Sequence, residues 1–237
     1  MSFIIAVHVK EGIVLASDSR TTYTQTVKKG DLTTVKFGTH TTDTTDKTFL
    51  CPNQIGISTC GNASIAGTPI TGYIEAFIRE NMTETTDVCQ VPKMLIDYFQ
   101  TMPTVPDTNF IVAGYHVEDH VKTQRVYHLN VLRKQIAAVD TTSQGAKWDG
   151  ETQTLSKIMQ KTYMRDKSGR EISLGDTKVP WGLFTLQDAI DFAQYAVDIT
   201  IKTMHYSNVV ETVGGPIDIL VIKPDKAFWI QHKELHA

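Results

Sequence analysis

The chain has 237 residues, a formal net charge of -3 and a sequence pI near 6.2. A chain of this length can form one large or two small domains and bury a substantial core. Because it carries no basic excess to neutralise phosphates, the composition argues against a protein built to bind nucleic acid or an anionic membrane. It has no apolar run of about 18 residues and no signal-peptide pattern, so we expect no membrane span and a cytoplasmic location.

The N-terminal segment predicts a β-hairpin. Two β-rich runs, 3–9 and 13–17, flank Lys10-Glu11-Gly12, a loop in which glycine suits the left-handed position. We expect Val9 to pair with Ile13, and this pairing fixes the register of the hairpin.

In that register Ser2, Asp18 and Arg20 share one sheet face. Ser2 would lie about 7–8 Å diagonally from Asp18, a gap that a bridging side chain could span. Ser2 follows Met1, so removal of Met1 would leave a hydroxyl and an α-amine on one residue. Because an α-amine with a pKa of about 7.7–8.0 is a base at cellular pH, Ser2 would be nucleophile and base together.

The next segments predict a second hairpin and a pair of helices. The region from Thr21 to Thr45 is dense in threonine, has glycine turn signals, and indicates an exposed hairpin or a mobile loop. Strand patterns return at 47–50 and 54–61. Apolar residues at helical spacing then predict amphipathic helices over 65–81 and 91–102.

The second half of the chain repeats this order. Strands are predicted over 109–115, 125–131 and 135–139, helices over 152–164 and 186–204, and closing strands over 217–222 and 227–230. Because each sheet must bury a face and the helices come in pairs, two sheets stacked between two helix layers is the economical arrangement. We therefore expect an α+β fold, a four-layer αββα sandwich, as a single domain over 1–237. Within it, about 21–45 is a Thr-rich insertion and about 165–183 a polar insertion.

The cysteines and histidines give no sign of a metal centre. Cys51, Cys60 and Cys89 are an odd set without C-x-x-C spacing, which indicates reduced, structural thiols. The eight histidines show no H-E-x-x-H motif or paired ligand spacing, and His116 and His120 lie in a polar loop context. We expect neither a metal nor another cofactor.

Several motifs follow one another in a characteristic order along almost the whole chain. They are 5–20 ending in Asp-Ser-Arg, 46–49 beginning Asp-Lys-Thr, Gly61 before a helix, 110–115, and the run 214–221 after the last long helix. In this order and spacing the chain resembles the β-type proteasome subunits and their bacterial relatives HslV and Anbu, with the first and last motifs most similar to the Anbu branch. The resemblance implies the αββα sandwich of the N-terminal nucleophile hydrolases. It also implies a homo-oligomeric ring or helical stack.

The resemblance further implies a role for each matching residue. Ser2 matches the N-terminal nucleophile, Asp18 the acidic partner on the second strand, and Lys47 the catalytic lysine. Gly61 matches the glycine whose backbone N–H binds the developing oxyanion. An ammonium at Lys47 would lower the cost of ionising the Ser2 hydroxyl, and an oxyanion donor is typically worth roughly 10²–10³ in rate.

Two further residues are weaker supporting candidates, Arg20 and Thr212. Near the last helix the family has an Asp and a Ser that support the nucleophile's amine, and here Thr212 is the best hydroxyl in that stretch. A supporting serine is also absent from 145–150. The spacing between Asp18 and Lys47 exceeds the family's usual spacing, and the Thr-rich stretch that supplies the excess would reshape the substrate cleft.

Three functions are compatible with this pattern. The first is an amide-bond hydrolase, a proteasome-family (threonine-type) endopeptidase that acts on peptides or proteins. The second is a non-catalytic, α-subunit-like ring scaffold, which would follow if Met1 is retained and blocks the amine. The third is a small-molecule amidase or peptide ligase, because a fold does not fix its substrate. The sequence does not identify an ATPase partner, a ring size or a cleavage preference.

Overall fold

The computed structural model describes residues 2–29, 32–175 and 178–234. In chain order the strands are β1 (Phe3–Val9), β2 (Gly12–Ser17), β3 (Thr21–Lys29), β4 (Leu32–Thr42), β5 (Thr48–Cys51), β6 (Ile55–Gly61), β7 (Ser64–Ile65), β8 (Thr68–Pro69), β9 (Thr108–Glu118), β10 (Val121–Asn130), β11 (Gln135–Ala138), β12 (Gly145–Gly150), β13 (Tyr163–Arg165), β14 (Glu171–Ser173), β15 (Asp218–Ile222) and β16 (Ala227–Gln231). The α-helices are α1 (Ile70–Asn81), α2 (Val91–Gln100), α3 (Gln153–Met159) and α4 (Leu186–His205), and short 3-10 turns cover Pro52–Gln54 and Trp181–Leu183. Among the described residues, no helix has both the length and the apolar character needed to span a lipid bilayer.

Two antiparallel five-stranded sheets form the centre of the molecule. The first sheet has the strand order β12-β1-β2-β15-β16, and the second has the order β11-β10-β9-β6-β5. Helices α3 and α4 pack on the outer face of the first sheet, and α1 and α2 on the outer face of the second. The inner faces meet in a third apolar cluster that includes Ile4, Leu15 and Ile111. The fold is therefore an α+β, four-layer αββα sandwich, and the layer order predicted from the sequence is confirmed.

Burial on both faces explains the apolar sequences of the two N-terminal strands. Every residue of β1 and β2 is buried. Phe3, Ile5 and Val7 contribute to the cluster beneath the α3/α4 layer. Ile4 and Ala6 alternate with them and face the second sheet. A strand covered on both sides has little need of polar residues, so its sequence is a near-continuous apolar run.

The longest helix, α4, has a defined start and a buried face of small side chains. It begins with a capping box, in which the Thr185 side chain accepts from the Asp188 N–H at 3.2 Å and the Asp188 carboxylate accepts from the Thr185 N–H at 2.8 Å. Its buried face includes Ala189, Ala193 and Ala196. These alanines place α4 against β1 and β2, so the helix supports the strand that carries Ser2.

The register of the first hairpin differs by one residue from the predicted one. Val9 pairs with Gly12, so the turn contains two residues, Lys10 and Glu11, and Gly12 already belongs to β2. Gly12 does not have a positive φ. A Cβ at this position would instead lie 2.9 Å from the backbone oxygen of Ile222, so glycine is needed for the close approach of β15. The predicted pairing of Val9 with Ile13 was wrong for this reason.

Three other elements differ from the predicted ones. Strand β12 was not predicted, because Gly-Ala-Lys-Trp-Asp-Gly has little intrinsic β-propensity and its pairing with β1 decides its structure. Helix α1 begins at Ile70 rather than at position 65, since β7 and β8 form a tight turn before it. Helix α3 ends at Met159 rather than at 164, and the following residues form the small hairpin of β13 and β14.

The two predicted insertions are described only in part. Residues 30 and 31 of the Thr-rich insertion and residues 176 and 177 of the polar insertion lie outside the described residues, as does Met1. The described part of the Thr-rich region forms a two-stranded hairpin, β3 with β4.

Candidate active site

A cavity of about 420 Å³ opens beside the start of β1 and the end of β6. Its lining includes Ser2, Lys47 and Gly61, together with residues 21–24 of β3. Three of the residues singled out in the sequence therefore lie around one cavity. Asp18 lies beneath it, where it is fully buried.

Lys47 and Asp18 form a buried ion pair. The Lys47 Nζ lies 2.8 Å from both carboxylate oxygens of Asp18, and the two side chains are 3% and 0% exposed. The same ammonium donates to the backbone carbonyl of Arg20. Burial lowers the pKa of Lys47, and the Asp18 carboxylate opposes this shift. The ammonium is therefore a stronger acid than that of a surface lysine, and it is held in one orientation at the cavity floor.

Asp18 also fixes the backbone around Ser2. Its carboxylate accepts hydrogen bonds from the backbone N–H groups of Phe3 at 3.0 Å, Arg20 at 3.1 Å and Gly214 at 3.0 Å. Strand β2 ends at Ser17, so the alternation of side chains along the strand does not set the direction of the Asp18 side chain. Its carboxylate can therefore bind the N–H of Phe3, the residue after Ser2. Asp18 thus joins the site despite the shifted register.

The edge strand β12 holds Ser2 in place. Ser2, which directly precedes β1, is buried, and its carbonyl accepts from the Glu151 N–H at 2.7 Å. Gly150 has a φ of +92°, and a Cβ on it would lie only 1.9 Å from the Ser2 carbonyl oxygen. Glycine is therefore required at 150 for Ser2 to occupy its position. Met1 lies outside the described residues, so its removal stays a prediction.

Gly61 ends β6 in a conformation that suits glycine. Its φ is +120°, and a Cβ there would lie 2.5 Å from the backbone oxygen of Asp107. The next residue, Asn62, donates its N–H to that same oxygen at 3.0 Å. The backbone of Gly61 thus forms part of the cavity wall, and its role as the oxyanion donor stays a prediction.

Arg20 points away from the cavity. Its guanidinium makes a two-point contact with Asp43, at 2.7 and 2.8 Å, and also pairs with Glu211. The contact with Asp43 raises the pKa of Arg20, and Glu211 adds to this effect. A Cβ at Gly214 would lie 2.6 Å from the guanidinium carbon. The Arg20 side chain therefore links the segment after β4 to the segment before β15. Its contact with the site is its backbone carbonyl, which accepts from Lys47.

Thr212 is not placed beside Ser2. Its hydroxyl lies 3.9 Å from the Met204 sulfur, and the residue lines a neighbouring cavity of about 760 Å³ between the β3–β4 hairpin, α3 and the end of α4. Residues 22 and 24 of β3 border both cavities. The structure thus brings Ser2, Asp18, Lys47 and Gly61 together and leaves Thr212 outside this group.

Sequence reasoning missed a second buried ion cluster next to Lys47. Lys233, whose side chain is 5% exposed, donates to the fully buried Asp218 and lies 2.7 Å from Asp46. Its positive charge is one of the influences that lower the pKa of Lys47. The signal was present in the sequence, because an aspartate at the start of the apolar run Asp218–Ile222 needs a cation once that strand is buried.

A cysteine also borders the cavity. Burial raises the pKa of the Cys60 thiol, and the charge of Asp149 adds to that effect. A thiol with a raised pKa is a poor nucleophile at neutral pH. Of the two residues, Ser2 is therefore the better candidate for nucleophilic attack.

The chain has the fold of Anbu, as comparison with solved structures shows. The chain is similar to the Anbu (Gly-1) mutant from Hyphomicrobium sp. strain MC1, with a TM-score of 0.61 and 16% identity over 100% of this chain and 88% of that one. It is also similar to Anbu from the same strain, with a TM-score of 0.58 and 14% identity over 98% and 88% of the two chains. No protein-family model and no curated protein sequence matches the chain. At these identities the likeness establishes the fold, and the roles of the site residues depend on their own geometry.

Proposed function

We propose that this protein is an amide-bond hydrolase that uses Ser2 as its nucleophile after removal of Met1. The observation that carries the proposal is the buried pair of Lys47 and Asp18, which opens on the cavity that Ser2 and Gly61 also line. A lysine ammonium held in one orientation at the cavity that contains Ser2 can stabilise an ionised serine oxygen.

The reaction would proceed in two halves. In the first, the α-amine of Ser2 takes the hydroxyl proton as the oxygen attacks the substrate carbonyl, and the Lys47 ammonium stabilises the developing charge on that oxygen. The Gly61 N–H donates to the tetrahedral oxyanion, and the α-amine then returns its proton to the leaving nitrogen as the C–N bond breaks. In the second half, water attacks the resulting ester and releases the acid and Ser2.

The cavity walls favour a peptide or protein substrate. Residues 21–24 of β3 line one side in an extended conformation, and an extended peptide can bind beside such a segment through main-chain hydrogen bonds. We also propose that the protein assembles as a homo-oligomeric ring or helical stack. Exposed apolar side chains such as Leu183, Tyr206 and Val209 are suited to such contacts.

The decisive experiment joins a mass measurement with a matched pair of variants. Intact mass of protein isolated from cells should show the loss of Met1. Ser2→Ala should then lower hydrolysis of fluorogenic peptides by at least about 10³-fold, because the nucleophile is removed. Ser19→Ala is the control, since the buried Ser19 hydroxyl has no hydrogen-bond partner among the described residues and its removal should leave the rate unchanged.

Each other outcome has a defined meaning. Full peptidase activity in Ser2→Ala would refute the proposal. Retention of Met1 without hydrolysis would favour the non-catalytic scaffold. A panel that shows turnover of small amides but not of peptides would favour an amidase on the same fold.

A further inference from the structure

Three potential metal ligands converge on the outer face of the second sheet. Asp87 and Cys89 lie in the turn before α2, and His116 lies near the end of β9. One ligand atom from each, a carboxylate oxygen, the thiol sulfur and a ring nitrogen, lies within 4.8 Å of the other two. Asp87 is central, since its carboxylate lies 2.7 Å from the His116 Nδ1. None of these residues lines the cavity that contains Ser2.

The turn that carries two of these ligands is held in place before any ion binds. The Asp87 carboxylate accepts from the Cys89 N–H at 2.8 Å, and the carbonyl of Thr86 accepts from the Asn53 side chain at 2.8 Å. Between them, Val88 is fully buried and packs on Gly114 of β9, where a Cβ would lie 3.1 Å from it. The position of the turn against β9 is therefore fixed, and little backbone ordering would be needed on binding.

We propose that Asp87, Cys89 and His116 bind a divalent transition-metal ion of the Zn²⁺ class. A thiolate, an imidazole and a carboxylate form a mixed set that borderline-soft Zn²⁺ accepts and that hard Mg²⁺ or Ca²⁺ does not favour. Bonds of about 2.0–2.2 Å to nitrogen and oxygen place those two ligand atoms roughly 3.3–3.5 Å apart in a tetrahedron. The His116 Nδ1 and the Asp87 oxygen, which lie 2.7 Å apart, therefore need to separate by about 0.6–0.8 Å. In the metal-bound form the Cys89 thiol has lost its proton to solvent, and the His116 ring carries its single proton on Nε2 instead of on the Nδ1 that donates to Asp87 in the ion-free structure. Water takes the fourth position.

A second cluster of potential metal ligands already contains a cation that the protein itself supplies. Asp46, Asp218 and His232 also offer ligand atoms within 4.8 Å of one another. There the ammonium of Lys233 already pairs with both carboxylates. The protein thus supplies its own cation to that cluster, and we propose no metal for it.

Titration with Co²⁺ tests the proposal directly. Untagged full-length protein, kept reduced, should bind one equivalent and develop the near-ultraviolet absorption of a thiolate–Co²⁺ bond, and Zn²⁺ should displace this signal. Cys89→Ser and His116→Ala should each weaken binding by at least about 100-fold, because even outer-shell partners of a metal site typically cost 10–100-fold. His232→Ala is the matched control and should bind like the wild type.

A second measurement needs no variant. Zn²⁺ at saturating concentration should protect Cys89 of the wild type from alkylation, as read from the mass of the peptide that contains it. Absence of a saturable one-to-one complex, or alkylation of Cys89 that Zn²⁺ does not slow, would overturn the proposal. So would binding that His232→Ala abolishes and His116→Ala does not. Neither test depends on peptidase activity, so the proposed function can fail while the metal site stands.

Discussion

The two walls of the Ser2 cavity are built in opposite ways. On one side, Asp18 and Lys47 are withdrawn from solvent and joined by a bidentate ion pair. On the other side, β3 contributes Thr22 and Tyr23, which are partly exposed, and Thr24, which is exposed. Groups that must keep one geometry are buried and multiply bonded, while groups that would meet a variable substrate are left adaptable. Chemistry and specificity should therefore respond to different mutations.

The largest effect should come from breaking the buried pair. Lys47→Met leaves the Asp18 carboxylate buried without its cation, so we expect a loss of about 3–5 kcal/mol in unfolding free energy and loss of peptide hydrolysis. The double variant Asp18→Asn/Lys47→Met should recover only part of the stability, because an amide has one acceptor oxygen for the three backbone N–H groups that bind Asp18, and it should recover none of the activity. Chemical denaturation and peptide hydrolysis measure the two quantities separately. Activity in the double variant would show that the pair has only a structural role.

A smaller effect is expected where the edge strand holds Ser2. Gly150→Ala combines a positive φ with a Cβ that would approach the Ser2 carbonyl to 1.9 Å, so about 2 kcal/mol or more of stability and most hydrolysis should be lost. Gly169→Ala is the control. It has a similar φ of +84°, but no described atom lies within 4 Å of its Cβ. It should cost about 1 kcal/mol and leave hydrolysis unchanged. Equal losses of hydrolysis in the two variants would contradict the role of Gly150.

The contribution of the buried Lys47 to stability should depend on pH. Because burial lowers the pKa of Lys47 in the folded state below its unfolded value of 10.5, the unfolded chain binds more protons between those two values. Stability relative to Lys47→Met should therefore rise with pH in that window, by up to about 1.4 kcal/mol per pH unit. Urea unfolding of both proteins across this range measures the difference. A difference that falls with pH would mean that Asp18 raises the pKa of Lys47 by more than burial lowers it.

The smallest effect on stability is expected at the exposed wall. Thr24→Ala should change the unfolding free energy by no more than about 0.5 kcal/mol, since the side chain is exposed. It should instead alter KM or the preference among peptides by a few-fold, with kcat nearly constant. Steady-state kinetics on a peptide library tests this. A fall in kcat without a change in KM would assign Thr24 to the chemistry and weaken the contrast between the walls.

The predicted site and the observed one agree where the order of motifs along the chain, and the family resemblance it carries, assigned the partners. Asp18 and Lys47 were predicted as partners from the motif order, and they form a pair in the structure. The predicted register was nevertheless off by one residue, because the packing of Gly12 against Ile222 cannot be inferred from the hairpin alone. Thr212 was selected by position in the chain, yet its hydroxyl faces Met204.

The sequence by itself determined the layers, since hydrophobic period and run length are local properties that each element carries within its own residues. It also led to the prediction, still to be tested, that Ser2 acts as nucleophile and base once Met1 is removed. Only the tertiary structure decided the pairing of β12 with β1, the Lys233 cluster beside Lys47, and the meeting of Asp87, Cys89 and His116. These contacts join residues far apart in the chain, and which distant groups meet depends on the packing of the two sheets and the chain ends rather than on any local pattern.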